Sequence, residues 1–370
     1  MSIDYTHSSR KISAVDLFCG AGGLTRGLVD AGIPVLAGYD IDSNCEFAYE
    51  HNNPGSQFVT QSVADLSVKD LKEVFGSSKI RILAGCAPCQ PFSKYTQGLD
   101  TREDAKWGLL HEFGRLVVGA KPEIVSMENV PELQRYEVLQ DFLRMLDDAK
   151  YHVSYQEAYC PDFGIPQQRR RLVLLASRLG PISLQKPSIA GLPQTVREAI
   201  SHLPALRAGE SSTDRFHRAS RLSDLNTKRI KASKPGGCWR DWPEDLVAKC
   251  HQTEMGKNYP SVYGRMKWES PSPTITTQFF GYGNGRFGHP EQDRALSLRE
   301  GALLQTFPHD YEFVPKDQPI SFAHAGKMIG NAVPVRLGEA IGASILKHLK
   351  THQSPSSTCK TNSLNASRRK

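Results

Sequence analysis

Two cysteines three positions apart, Cys86 and Cys89 in the stretch LAGCAPCQPFS, have the widest range of chemistry open to them in this 370-residue chain. A thioredoxin-like redox pair needs both thiols at the start of a helix. Here Pro91 and the polar run SKYTQGLDTRED follow at once, which reads as a loop. A zinc site needs a second ligand pair at suitable spacing; Cys238 and Cys250–His251 are the remote candidates, and neither makes a compact half-site. A nucleophile needs one thiol on a loop at the carboxyl end of a strand, with a carboxyl group nearby. Glu128, in SMENVPEL, offers that carboxyl, and GIPQQRRRLVLL brings Gln167, Arg169 and Arg171 into a strand, where residues two apart share a face. Singly, Glu128 reads as well as a helix cap and the arginines as a solvated edge. Together they surround one crevice.

A second constellation is built from glycines and acids. The turn DLFCGAGGLTRG places Gly20, Gly22 and Gly23 between a strand and a helix, where backbone approaches a ligand closely. Thr25 stands where the dinucleotide pattern G-x-G-x-x-G needs its last glycine, and the Gly-Lys-Ser/Thr ending of a P-loop is missing. Alone, the turn is explained equally well with no ligand. Asp16 ends the first strand and Asp40 the second, with Asp42 as its alternate, and Asp65 is expected at the end of a third. A carboxylate some 20 residues after the glycine strand is where a doubly wound sheet holds ribose hydroxyls. Three acids would repel a pyrophosphate. They suit a cofactor with free hydroxyls, an adenine amino group and a positive centre, the description of S-adenosylmethionine, with Phe18 either stacked on the adenine or filling core.

These residues need strands and helices to carry them. Apolar runs at KISAVDLF, IPVLAGYD, IRILAG, EIVSMENV, HVSYQEAYC and RRLVLLAS read as strands. GLTRGLVDAG reads as a helix closed by Gly32, and Leu109, Leu110, Phe113, Leu116 and Val117 have helical spacing. Strands alternating with helices predict an α/β fold with a doubly wound, parallel sheet. Beyond Gly180, prolines and glycines become frequent and Arg, Lys, Trp and Tyr are interleaved, until helical spacing returns at SLREGALLQTF and VRLGEAIGASILKHL. The organisation expected is a polar arm over 1–11, a catalytic domain over 12–180 plus 321–350, an irregular domain over 181–320 and a disordered tail over 351–370. A formal net charge of +7 favours a polyanionic partner, although part of the excess lies in the tail. No apolar run approaches the ~18 residues of a membrane helix, and eight cysteines without a signal peptide point to reduced thiols and a cytoplasmic protein.

In order, DLFCGAGGL, GCAPCQPFS, ENV, GIPQQRRR, SLREGALLQTFP and IGNAVPVRLGEAIG resemble the motifs of cytosine-5 DNA methyltransferases, from about Ile12 to Leu349. The resemblance implies a mixed or parallel Rossmann-like sheet of the S-adenosylmethionine-dependent methyltransferase type, with a smaller irregular target-recognition domain. It makes Cys89 the nucleophile and Cys86, which falls where relatives carry another small residue, replaceable. It gives Glu128 the role of proton donor to the base, Arg171 that of holding the base carbonyl, and Arg169 that of supporting backbone or phosphate. The donor pocket it implies takes in Asp16, Phe18, Gly20, Gly22, Gly23, Leu24, Asp40, Ile41, Asp65, Leu66, Pro88, Asn331 and Val333. Asp40 is shorter than the glutamate common at its position.

The expected partner is double-stranded DNA, with no membrane, no metal and no second subunit, and a restriction endonuclease as a functional rather than physical companion. If the protein is prokaryotic, it is expected at the nucleoid. Gln90, Ser93, Lys94, Arg102, Gln167, Arg240, Arg265 and Lys267 are the candidate DNA contacts, and the loop 94–105 is the candidate lid over a flipped base. Competing readings are a transfer-RNA methyltransferase of the same fold and a non-catalytic nucleic-acid binder.

Overall fold

The computed structural model describes residues 12–88, 108–254 and 256–353. Cys89, Gln90, Ser93, Lys94, Arg102 and the candidate lid lie outside the described residues, as do the arm 1–11 and the chain beyond 353.

The first part of the chain runs β1 (Ile12–Leu17), α1 (Gly23–Asp30), β2 (Val35–Asp40), α2 (Glu46–Asn52), β3 (Gln57–Thr60), α3 (Val68–Phe75), β4 (Ile80–Gly85), α4 (Gly108–Ala120), β5 (Ile124–Asn129), α5 (Glu137–Asp148), β6 (His152–Tyr159) and β7 (Arg170–Ser177); the six apolar runs are strands as expected, whereas β3 and the helices α2, α3 and α5 were marked by no run. They form one seven-stranded sheet in the order β3-β2-β1-β4-β5-β7-β6. β1 pairs in parallel with both β2 and β4, and β4 with β5. The sheet is mixed, because β7 runs antiparallel to both β5 and β6. The segment between β6 and β7, residues 160–169, is too short for the helical crossover that a parallel pair requires, so the two strands close as a hairpin.

Alternation along β1 divides the core. Val15 and Leu17 pack on one face with residues of α3, α4 and α5, while Ala14 packs on the other with Leu24 and Leu28 of α1. The second face is completed by the last helix. After α6 (Val196–Ile200), α7 (Asp224–Ala232), α8 (Leu298–Leu304) and α9 (Phe322–Asn331), helix α10 (Val335–Gln353) returns to lie on α1. The two backbones touch at Gly27 and Gly338: a Cβ on Gly27 would stand 2.3 Å from the Val335 carbonyl oxygen. α10 continues to Gln353, past the point where a disordered tail is expected, because Leu349 is buried on the sheet and Thr351 donates back to the His348 carbonyl at 2.7 Å.

Between α6 and α8 regular structure is sparse, and buried polar side chains do the work of a ladder. Arg265, a candidate DNA contact, is buried and donates to the carbonyls of Ile230, Ser233, His289 and Gln292. Its guanidinium is therefore a structural strut and not a surface charge. Arg294 and Glu300 are paired in the interior through two 2.7 Å contacts, and Glu300 also completes the capping box of α8 with Ser297. That pairing, overriding burial, holds the Glu300 carboxyl down at about 2. Trp239 and Trp242 sit in a small aromatic cluster with Tyr282. The larger cluster of this region joins Phe216, Phe279 and Phe313 to Tyr49 of α2 and Phe58 of β3. Among the described residues no helix is long and apolar enough to cross a membrane.

Candidate active site

β1 is the strand from which the chain winds first one way, to β2 and β3, and then the other, to β4. Ligands of such sheets bind outside the carboxyl ends of the strands at that switch point. The turn after β1 begins with Phe18 at φ 59, left-handed backbone that a bulky aromatic adopts only under constraint, and passes through Gly20 at φ 50 and Gly22 at φ 86. Asp40 at the end of β2 fixes this turn. Its Oδ2 accepts from the Gly20 amide and its Oδ1 from the Asp42 amide, both at 2.9 Å. The Cys19 amide donates to the Tyr39 carbonyl and the Cys86 amide to the Leu17 carbonyl, tying three strand ends together.

Above these ends lies a pocket of about 290 Å³. Of the residues expected around a donor, Asp16, Phe18, Gly20, Leu24, Asp40, Ile41, Pro88, Asn331 and Val333 line it. Ile41 is 73% exposed, an apolar side chain left open in the lining that also includes Phe18. Lys327 and Met328 of α9 close the far side, with the Lys327 ammonium 2.7 Å from Asp42 Oδ2. Neither residue stands out in the sequence.

Four expected pocket residues, Gly22, Gly23, Asp65 and Leu66, are outside the lining of this pocket. A Cβ on Gly23 would stand 2.3 Å from the Val333 carbonyl, so Gly23 serves the packing of α1 under the segment after α9. Gly22 is enclosed by Asn53, Tyr311 and Tyr49. Asp65 is exposed in a turn: β3 stops at Thr60, so no strand carries this acid to the pocket. Leu66 is buried in the core beneath α4.

Asp16 is buried, and its Oδ2 accepts from the Thr25 hydroxyl at 2.7 Å. Its Oδ1 has no hydrogen-bond partner among the described residues. Burial pushes this carboxyl up to about 7, with the Thr25 bond opposing and the charge on Asp40 adding to the rise. A buried carboxylate oxygen without a donor, in the wall of a pocket, fits a ligand that brings a positive group. The donor set suits S-adenosylmethionine on this observation.

The second half of the crevice lies one strand further along. The β4–β5 register pairs Gly85 with Met127, which sets Cys86 level with Glu128. Glu128 is only 2% exposed. Its Oε2 accepts from the Cys86 thiol at 2.9 Å, and its Oε1 lies 2.9 Å from Arg171 Nε. The Arg171 contact is an ion pair without hydrogen-bond alignment, which leaves Oε1 with no hydrogen bond among the described residues. Cys86 is therefore a partner of the expected acid and not a bystander in the fold. Arg169 precedes β7; it is buried and donates to the carbonyls of Ile275 and Ala332, so it braces backbone. Burial, reinforced by the neighbouring Arg171, brings its guanidinium down to about 10. Gln167, expected on DNA, is fully buried, its amide held by the Leu304 carbonyl, Gln305 and the Ile275 amide. Arg240 and Lys267 remain exposed, Arg240 over the Trp239 ring. Asn129, beside Glu128 in the ENV motif, was not among the expected site residues. It is buried and donates to the Ala87 carbonyl at 3.1 Å, anchoring the segment that leads to Cys89.

A family model described as C-5 cytosine-specific DNA methylase matches residues 12–347. The chain belongs to that family. Its relatives agree. The methylase is 50% identical over 345 residues to the type II methylase M.HgiDII of Herpetosiphon aurantiacus, covering 91% of this chain and 96% of that one. It is 32% identical to the type II methyltransferase M1.HphI of Haemophilus parahaemolyticus, over 91% of this chain and 87% of the relative. Among solved structures, a prophage-encoded DNA modification methyltransferase from E. coli superposes with a TM-score of 0.71 at 21% identity, covering 92% of this chain and 100% of that chain. The Entamoeba histolytica methyltransferase EhMeth gives 0.66 at 14% identity, over 92% and 99%. These two share the fold. The methylase is a cytosine-5 DNA methyltransferase, the reading that the family favours over a transfer-RNA enzyme or a non-catalytic binder.

Proposed function

We propose that this methylase transfers a methyl group from S-adenosylmethionine to carbon 5 of a cytosine flipped out of duplex DNA, through a covalent adduct with Cys89. The observation that carries the reading is the pair of buried carboxylate oxygens without hydrogen bonds among the described residues, Asp16 Oδ1 in the pocket wall and Glu128 Oε1 beyond Cys86. When bound, S-adenosylmethionine supplies an electrophilic methyl group on a sulfonium. Asp16 would face the donor's positive end, Asp40 its ribose, and Phe18 and Ile41 would offer apolar surfaces to its adenine.

Cytosine carbon 5 is too weak a nucleophile to react unaided. Attack of the Cys89 thiolate on carbon 6 converts the ring to an enamine, splitting one hard step into easier ones. A thiol of pKa about 8.5 is only a few per cent ionised at neutral pH, so a cationic group such as the Arg171 guanidinium, brought close, would favour the thiolate. Glu128 donates a proton to ring nitrogen 3 as the adduct forms and accepts from the exocyclic amine, while Arg171 holds the base carbonyl. Water then removes the proton from carbon 5 and Cys89 departs. A cytosine inside a duplex cannot enter this crevice, so it is flipped out at a cost of a few kcal/mol, offset by contacts from the basic surface to phosphates. Arg240 and Lys267 are candidates for such contacts. The type II relatives support a place in restriction–modification.

Asp16 gives donor binding a pH dependence. The folded protein holds the Asp16 proton more tightly than the unfolded chain between pH 3.8 and about 7. The stability this contributes without ligand is therefore lost as pH rises through that window. A positive ligand prefers the ionised carboxylate, so S-adenosylmethionine affinity measured by calorimetry is expected to rise from pH 6 to pH 8. Asp16→Asn is expected to bind more weakly and to show no such rise; an unchanged pH dependence removes Asp16 from the contact.

Bisulfite sequencing of DNA from cells expressing the methylase tests the function. Protected cytosines at one position of one recurring sequence are expected, and fully converted DNA would overturn the reading.

A further inference from the structure

Cys86 stands where the two halves of the crevice meet. It lines the donor pocket together with Ala87 and Pro88, its amide is fixed to the Leu17 carbonyl at 3.2 Å, and its thiol donates to Glu128 Oε2. The end of a glutamate side chain is its softest torsion, broad and roughly two-fold, so burial alone does not set the plane of the carboxyl group. Something directional must set it. Arg171 Nε is close to Oε1 but misaligned for a hydrogen bond. Among the described residues, the directed hydrogen bond to this carboxyl group comes from Cys86.

We propose that Cys86 is a positioning residue for the methyl transfer, fixing the rotation of the Glu128 carboxyl group so that Oε1 faces the base. A thiol is suited to this place. Cys86 also packs against the apolar cluster under β1 and β4, and its S–H is a weak donor that orients a carboxyl group without binding it as a charged group would. The inference rests on the reading of Glu128 as the proton donor.

The test is the single-turnover methylation rate of wild-type protein, C86A, C86S, E128Q and the double variant C86A/E128Q, with donor and duplex affinities measured in parallel. C86A is expected to react about tenfold more slowly, the scale of one lost hydrogen bond at a reacting group, with both affinities within twofold of wild type. C86S restores the donor and is expected to recover most of the rate. In the E128Q background, C86A is expected to add no further loss, because the carboxyl proton whose delivery Cys86 orients is already absent. A C86A rate equal to wild type, a C86S rate as low as that of C86A, or the same tenfold penalty with and without Glu128 would each overturn the proposal. If C86A fails to fold, the C86S rate decides: near wild type supports the proposal, tenfold lower overturns it. The reading of Glu128 stands or falls separately, on whether E128Q alone loses activity.

Discussion

Glu128→Gln is expected to lower the methylation rate by about a thousandfold, within the ~10²–10⁴-fold range of general acid catalysis. Glutamine keeps the shape of the side chain and an oxygen that accepts from the Cys86 thiol, so the crevice survives. It has no carboxyl proton to deliver to ring nitrogen 3. The enzyme still binds donor and duplex and can still flip the base, but the ring no longer receives a proton as the thiolate adds to carbon 6. The loss should therefore fall on the rate at saturating substrates, with affinities for donor and duplex within a few-fold of wild type. A rate within tenfold of wild type would show that the proton reaches the ring by another route. A loss confined to duplex affinity would recast Glu128 as a binding residue. Glu128→Ala is expected to be worse still, because it leaves the Arg171 guanidinium, whose side chain is 14% exposed, without its partner.

Cys89→Ser is expected to reduce methyl transfer by about 10⁴-fold or more, the scale seen when a covalent nucleophile is removed. A serine hydroxyl is hardly ionised near neutral pH and is a far weaker nucleophile than a thiolate. Duplex affinity should remain, because phosphate contacts and the donor pocket are untouched. Turnover within a hundredfold of wild type would remove Cys89 from the mechanism. The same experiment on Cys86 separates the two thiols: C86A slows the enzyme modestly, whereas C89S stops it.

The centre of the sheet was legible because β1, β4 and β5 are buried on both faces and therefore read as short apolar runs. The direction of β7 was not, since pairing with both β5 and β6 is decided by long-range register. The brevity of residues 160–169 was the signal for a hairpin. The candidate residues Asp16, Asp40 and Glu128 were identifiable because a strand end fixes where its side chains go, whereas Cys86 was read as replaceable because its contact with Glu128 depends on how β4 and β5 are paired. Asp65 was misplaced for the same reason in reverse: β3 has only four residues and ends before reaching it. Gln167 and Arg265 were misread as surface contacts because, in stretches without regular ladders, long polar side chains turn inward to satisfy buried carbonyls. Lys327 and Met328 reach the pocket from a helix more than two hundred residues downstream of β2, which no local pattern encodes. Asn129 was in view within ENV, but its bond to the Ala87 carbonyl depends on how β4 and β5 are paired.

The most direct measurement uses duplexes that carry 5-fluorocytosine at the target position found by bisulfite sequencing. Fluorine cannot leave as the carbon-5 proton does, so a covalent intermediate is trapped once the methyl group has been transferred. In the presence of S-adenosylmethionine, a protein–DNA species that survives denaturation is expected, and peptide mapping should place the DNA on Cys89. Absence of that species on a duplex that the enzyme otherwise methylates, or its attachment to Cys86, would contradict the account.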